Sequence, residues 1–74
     1  MNKGDDKLNN FSDNLKFLRT SKNVKQKDVA ISINLTQDGY AKYERGQREP
    51  DLDTLVLLAD YFDVSLDELI KRKA

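Results

Sequence analysis

Residues 24–46 constrain the fold of this chain more than any other segment. Two short helical patterns lie on either side of a three-residue break, Asn34-Leu35-Thr36, and the second pattern ends at Gly46. Helices joined by so short a turn must cross at a steep angle. Such a pair can present its second helix to the major groove of DNA, so the segment predicts a helix-turn-helix.

The apolar positions of the two patterns support this interpretation. In the first, Val29, Ala30 and Ile33 fall on one helical face, and the small Ala30 allows a crossing helix to approach closely. In the second, Tyr40 and Tyr43 form an apolar stripe. We expect these residues in the core. The opposite face of the second helix is expected to point outward and carries Gln37, Asp38, Ala41 and Lys42.

Length and composition exclude several classes of function. A chain of 74 residues forms one small domain, which buries only about 60% of its unfolded surface, so dimerisation would add stability. The absence of His and Cys removes the usual general base, the commonest metal ligand and any thiol nucleophile. We therefore expect no catalytic residue, no metal and no cofactor. The longest apolar run, residues 55–59, is too short for a membrane span, so a cytoplasmic protein is expected.

The zero net charge conceals a division along the chain. Residues 16–48 carry eight basic and three acidic side chains, a balance of +5, whereas residues 49–68 carry seven acidic side chains and no basic one. A basic face suits phosphate and an acidic face is then kept away from it. Two ordinary solvated faces are the alternative interpretation.

The periodicity predicts an all-α chain, a bundle of five helices. Residues 1–10 are expected to form a flexible N-terminal segment and residues 11–74 a single domain. The helices are predicted at residues 11–21, 26–32, 37–45 and 52–62, with a fifth after Ser65.

The predicted helix ends have their own residue signals. Asn10 or Ser12 suits the cap of the first helix, Thr36 that of the third and Asp51 that of the fourth, while Ser65 and Glu68 form a capping box for the fifth. Lys25 precedes the second helix and cannot accept a backbone hydrogen bond. Asn34 and Gly46 tolerate the left-handed conformation that ends a helix. The apolar stripe of the fourth helix is expected to include Leu52, Leu55, Leu58, Ala59 and Phe62.

Several short motifs occur together in a fixed order. They are Leu15-Lys16-x-Leu18-Arg19, Gln26-x-Asp28-Val29-Ala30, Tyr43-Glu44-Arg45-Gly46-x-Arg48-Glu49-Pro50, Leu52-x-Thr54-Leu55, Leu58-Ala59 and Val64-Ser65-Leu66-Asp67-Glu68-Leu69. In this order and spacing the chain resembles the lambda-repressor and Cro type helix-turn-helix family, also called the Xre family, over about residues 11–70. The resemblance implies a compact bundle of five helices whose third helix reads the major groove.

The resemblance also implies roles for individual residues. Base contacts are expected from Gln37, which pairs with adenine, and from Asp38 and Lys42. Lys42 is alternatively a solvated side chain, and Asp38 alternatively complements the helix N-terminus. Contacts to the DNA backbone are expected from Lys25, Gln26, Lys27, Thr36, Arg45 and Arg48.

Other positions fit structural roles or depart from the family pattern. Arg19 and Glu44 match a partly buried ion pair that ties the first helix to the third. Asn34 stands where the family usually has a turn glycine, and Lys25 where it usually has a capping threonine. Gly39 lies inside the third helix, where it either allows close approach to DNA or is simply tolerated.

These expectations add up to a sequence-specific, double-stranded DNA-binding transcriptional regulator, a repressor that binds a near-palindromic operator as a homodimer. The two reading helices must lie about 34 Å apart, which puts the dimer interface near the end of the domain, at Leu57, Tyr61 and Leu66. A protein-interaction module, antitoxin-like or regulatory, is the alternative. Phe17, Leu57 and Tyr61 favour it because these apolar side chains are expected to face outward.

Overall fold

Residues 9–71, which the computed structural model describes, form five α-helices and no strand. They are α1 (Asn9–Lys22), α2 (Gln26–Ser32), α3 (Gln37–Glu44), α4 (Leu52–Phe62) and α5 (Leu66–Lys71). The predicted all-α fold class is confirmed, and α2 and α4 have the predicted bounds. Among the described residues, no helix combines the length and the apolar character that crossing a membrane requires.

The bounds of two helices differ from the prediction. α1 begins at Asn9, so Asn10 and Ser12 lie inside it and neither is its cap. α3 ends at Glu44, one residue early. Of the predicted flexible segment, residues 1–8 lie outside the described residues, whereas residues 9 and 10 belong to α1. Arg72 and Lys73, basic residues expected to suit the dipole at the end of the fifth helix, also lie outside the described residues.

The core is built from one apolar face of each helix. It contains Phe11, Leu15, Val29, Ala30, Ile33, Tyr40, Tyr43, Leu55, Leu58, Ala59, Phe62 and Leu69. Predictions of orientation are wrong at Leu52 and Ala41, and also at Tyr61, which is half-buried and packs against the core. Leu52 is 66% exposed because it is the first residue of α4, at the edge of the core. Ala41 is buried because α3 packs against both α1 and α2, which makes its inner face broader than a tyrosine stripe.

The first four helices end in the same backbone motif. A residue with positive φ follows each helix: Asn23 (62°), Asn34 (62°), Gly46 (72°) and Asp63 (58°). Its N–H and the N–H of the next residue both bond back to carbonyls of the last turn, as in Leu35 N to Ala30 O at 2.8 Å. The next residue is apolar after α1, α2 and α4 and packs against the core. Asn34 and Gly46 thus behave as predicted, and the motif turns the chain sharply each time.

The starts of α3, α4 and α5 agree with the predicted caps. The Thr36 and Asp51 side chains accept hydrogen bonds from Gly39 N (3.0 Å) and Thr54 N (2.9 Å). Ser65 and Glu68 form both bonds of a capping box. At the start of α2 only the reciprocal half of a box exists, because the lysine side chain has no acceptor: Lys25 N donates to Asp28 Oδ2 at 3.0 Å.

The carboxylate of Glu44 joins three helices. Although Glu44 is buried, it accepts four hydrogen bonds: from Arg19 Nε (2.6 Å) and Arg19 Nη2 (3.2 Å) on α1, from Gln26 Nε2 (3.0 Å) on α2, and from Tyr40 OH (2.6 Å) on α3. Arg19 Nη1 also donates to Val24 O at 3.1 Å. The predicted ion pair is confirmed, and it is part of a larger polar cluster, Arg19, Gln26, Tyr40 and Glu44, here called the Glu44 cluster.

The cluster determines the protonation of its members. Burial raises the pKa of Glu44, but hydrogen bonds from Arg19, Tyr40 and Gln26 outweigh this, so the pKa of Glu44 lies below its ordinary value. Burial, followed by the bond to Glu44, raises the pKa of Tyr40. The hydrogen bond to Glu44 raises the pKa of Arg19. At neutral pH the cluster therefore holds an ionised carboxylate and a neutral phenol.

Removal of the carboxylate tests the cluster. Glu44→Gln should lower the free energy of unfolding at pH 7 by about 3 kcal/mol, because it leaves the mostly buried Arg19 guanidinium without its counter-ion. Since folding lowers the pKa of Glu44, this contribution is complete above the unfolded pKa, near 4.5, and is lost as pH falls through the lower folded value. The deficit of the variant should thus shrink below pH 4.5 in urea titrations.

A double-mutant cycle supplies the control. The coupling of Arg19→Ala with Glu44→Gln should exceed about 1 kcal/mol at pH 7. The same cycle on the exposed pair Lys42 and Asp38, 3.5 Å apart, should give less, because solvent screens exposed charges. Coupling near zero at Arg19 and Glu44 would contradict a stabilising role for the pair.

Candidate nucleic-acid interface

The turn between α2 and α3 fixes which face of α3 points outward. Asn34 reverses the chain, half-buried Leu35 packs on the core, and Thr36 caps α3. Tyr40 and Tyr43 then bury the inner face of α3 between α1 and α2. The Thr36 cap and the buried tyrosines together fix the orientation of α3, so the same face always points outward.

Three predicted base-contact residues share this outer face. Gln37 and Asp38 are exposed in the first turn, and Lys42 lies one turn further on. Lys42 Nζ is 3.5 Å from Asp38 Oδ2, and Arg45 Nη2 is 3.9 Å from Asp38 Oδ1. The face therefore presents the Gln37 amide and, beside it, the Asp38 carboxylate paired with the cations of Lys42 and Arg45.

The predicted backbone-contact residues at the start of α2 differ in their surroundings. Lys25 and Lys27 are exposed, whereas Gln26 is half-buried and donates to Glu44. This bond places the start of α2 beside the end of α3. Lys25 directly precedes one partner of the bond, Gln26, and Arg45 directly follows the other, Glu44. The bond to Glu44 was not predicted, because 18 positions separate the two residues and no local pattern connects them.

The remaining backbone-contact residues follow or precede α3. Arg45 and Arg48 are exposed, and Arg45 Nε donates to Gln47 Oε1 at 3.0 Å. Hydrogen bonds from Thr54, and then the nearby charge of Arg48, lower the pKa of Asp51. The Thr36 hydroxyl accepts from Gly39 N, and its hydrogen can still donate to an anion.

The structure also explains Gly39 in part. A Cβ at this position would lie 3.1 Å from the Thr36 hydroxyl oxygen, which is a tight contact with the cap. Alanine would favour the helix by up to about 1 kcal/mol, and crowding of the cap opposes that gain. The glycine thus suits the cap of α3.

The predicted dimer residues lie in different environments. Leu57 is 45% exposed, whereas Leu66 is half-buried and packs against the core. Tyr61 was expected to face outward but is half-buried: its ring meets Phe62 edge-on at 4.9 Å, and Lys22 Nζ lies 5.5 Å from its centre. On α1, Phe17 is 42% exposed, as expected.

Comparison with known proteins gives consistent matches. A helix-turn-helix family model matches residues 15–69. Two relatives from Bacillus subtilis, the HTH-type transcriptional regulator YqaE and the SPbeta prophage-derived HTH-type transcriptional regulator YonR, are 44% and 46% identical over 61 residues, 82% of this chain. The chain spans about half of their length, 53% and 56%.

A solved structure agrees over almost its full length. The restriction-modification controller protein C.AhdI from Aeromonas hydrophila superimposes with a TM-score of 0.77 and 34% identity, covering 84% of this chain and 94% of that one. Together with the five helices and the turn at Asn34, these matches show that the chain belongs to the helix-turn-helix family of the lambda-repressor and Cro type.

Proposed function

We propose that the chain is a sequence-specific, double-stranded DNA-binding transcriptional regulator, a repressor that acts as a homodimer on a near-palindromic operator. The outer face of α3 carries the proposal, because exposed Gln37 and partly exposed Lys42 lie on a helix whose other side is fixed by the core and the Glu44 cluster. Side chains on a rigid helix read base edges with little loss of conformational entropy. The names of the two relatives, both transcriptional regulators, support the proposal.

In this proposal α3 supplies the base contacts. The Gln37 amide donates to and accepts from adenine, and Lys42 donates to guanine. Asp38 reads a base or acts on its neighbours Lys42 and Arg45, with both of which its carboxylate is paired. Because Gln37 directly follows the Thr36 cap, its side chain lies at the N-terminal end of α3.

Contacts to phosphates come from both sides of α3. Lys25, Gln26 and Lys27 approach from α2, and Thr36, Arg45 and Arg48 from the ends of α3. These contacts position the domain without reading sequence. Because Gln26 also donates to Glu44 of α3, a phosphate bound by Gln26 would be held at a fixed position relative to α3.

The second copy is proposed to dock on the surface around Leu57, Tyr61 and Leu66. Leu57 is the exposed apolar member of this set, and Tyr61 and Leu66 extend it toward the core. A small contact of this kind is weak without DNA, which then acts as the template for the dimer.

Exposed Phe17 and Leu57 also suit a protein partner, which is the second candidate function. Salt dependence separates the two functions. A steep fall of DNA affinity with salt supports the regulator, whereas a stable complex with another protein and no DNA affinity supports the interaction module.

Gln37 is the sharpest test of base reading. Gln37→Ala should weaken binding to the preferred site, selected from random DNA, by about 1–3 kcal/mol and relax the preference at one base position. Binding to random DNA should barely change, since Gln37 carries no charge. Asp60→Ala, which removes an exposed side chain of α4 away from the outer face of α3, is the control. Equal losses on selected and random DNA would refute the role.

Arg48 and Lys25 should act through charge alone. Either residue changed to Ala should lower affinity for selected and random DNA by the same factor and flatten the salt slope by about one unit. Gln26→Ala should lower affinity without changing the slope. Because Gln26 also donates to Glu44, the free energy of unfolding of the Gln26→Ala variant must be measured together with its DNA affinity. A loss confined to one DNA sequence would contradict the phosphate role.

The dimer surface is tested best at Leu57, because Leu66 packs against the core and its substitution would disturb the fold. Leu57→Glu should reduce affinity for the two-half-site operator much more than affinity for an isolated half-site, since it sets two carboxylates against each other across a symmetric contact. Sedimentation and footprinting report the stoichiometry. One monomer per operator without paired half-sites would rule out the homodimer.

A further inference from the structure

We propose that Asp38 is a specificity-determining residue that lowers affinity for non-cognate DNA by partly neutralising Lys42 and Arg45. The inference rests on the proposed DNA-binding function and concerns the same face of α3. It assigns Asp38 a role exerted through its two cationic neighbours, in place of a direct contact with a base.

The geometry singles out Asp38. Its carboxylate uses one oxygen for each cation, Oδ2 at 3.5 Å from Lys42 Nζ and Oδ1 at 3.9 Å from Arg45 Nη2. Arg45 is also bonded to Gln47, so its guanidinium is held along the surface from two sides. The Asp38 side chain is 74% exposed, and those of Lys42 and Arg45 are 42% and 49% exposed.

This carboxylate contributes only modestly to stability, although as the acidic group in the first turn of α3 it complements the helix dipole. Exposed ion pairs add little to folding because solvent screens them and two side chains lose freedom. The first turn of α3 already has its cap in Thr36, whose oxygen accepts from Gly39 N. A negative charge on a surface that meets phosphates opposes binding, so its presence there favours a role in selection among DNA sequences.

The electrostatics give that role a direction. Binding to non-cognate DNA comes almost entirely from cations that displace counterions from phosphates. Asp38 reduces the net charge that Lys42 and Arg45 bring from +2 to +1, so every DNA sequence is bound less tightly. At the preferred site, Gln37 and an oriented Lys42 form base contacts that offset this loss. Discrimination against wrong sites by an unfavourable charge is a common route to specificity.

Asp38→Asn tests the inference, because it removes the charge and keeps the shape. Affinity for random-sequence DNA should rise about fivefold at 0.15 M salt, the factor that one additional displaced counterion gives, and the salt slope should steepen by about one unit. Affinity for the selected site should rise less, so the ratio of the two affinities should fall. Asp60→Asn on α4 makes the same charge change away from α3 and, measured on duplexes too short to bind two copies so that the nearby dimer surface does not contribute, should alter neither quantity as much.

A second variant locates the effect. Lys42→Gln should weaken binding to random DNA more in the Asp38→Asn background than in the wild type, because the lysine is then no longer neutralised. An equal cost in both backgrounds, or an unchanged affinity ratio in Asp38→Asn, overturns the proposal. A loss confined to the selected site in Asp38→Asn also overturns it and assigns Asp38 to base reading. Failure of the wild type to bind any DNA refutes instead the proposed function on which the inference rests.

Discussion

The Glu44 carboxylate is the interaction on which the arrangement of the first three helices depends. A buried ion of this kind is costly unless all its acceptor capacity is used. Here Arg19, Gln26 and Tyr40 each fill part of it, one from each helix. Because the donors come from three helices, any shift of α2 against α3 would break a bond to a buried charge. The angle between the two helices is therefore set by polar geometry as well as by apolar packing.

The way in which consecutive helices follow one another depends on four similar chain reversals. Asn23, Asn34, Gly46 and Asp63 all adopt positive φ after a helix. Only one of them is glycine, so three carry a conformational cost that asparagine and aspartate bear better than other side chains. The apolar residue that follows three of these turns packs on the core, which helps to offset the cost. Short connections of fixed shape leave the five helices little choice of arrangement.

Sequence reasoning succeeded where signals are local and failed where they are not. The caps at Thr36, Asp51 and Ser65 follow from residues three positions apart, and the core of α4 follows from helical spacing. Leu52 and Ala41 were misassigned, because periodicity does not show where the core ends or how many helices cover a face. The Arg19 and Glu44 pair came from the family resemblance, whereas the Gln26 bond to Glu44 and the cations around Asp38 depend on three-dimensional proximity that spacing alone does not give.

α1 is bonded to both α5 and α3 through two polar anchors. Buried Asn14 donates to Leu69 O of α5 at 3.1 Å, and Arg19 holds Glu44 of α3. Asn14 and Arg19 are five positions apart, a rise of about 7.5 Å along one helix. Because both bonds come from one helix, α1 fixes the position of α3 relative to α5. The proposed dimer surface around Leu57, Tyr61 and Leu66 includes α5, so the distance between the α3 helices of two copies would depend on this fixed offset along α1 together with the turns that join the helices.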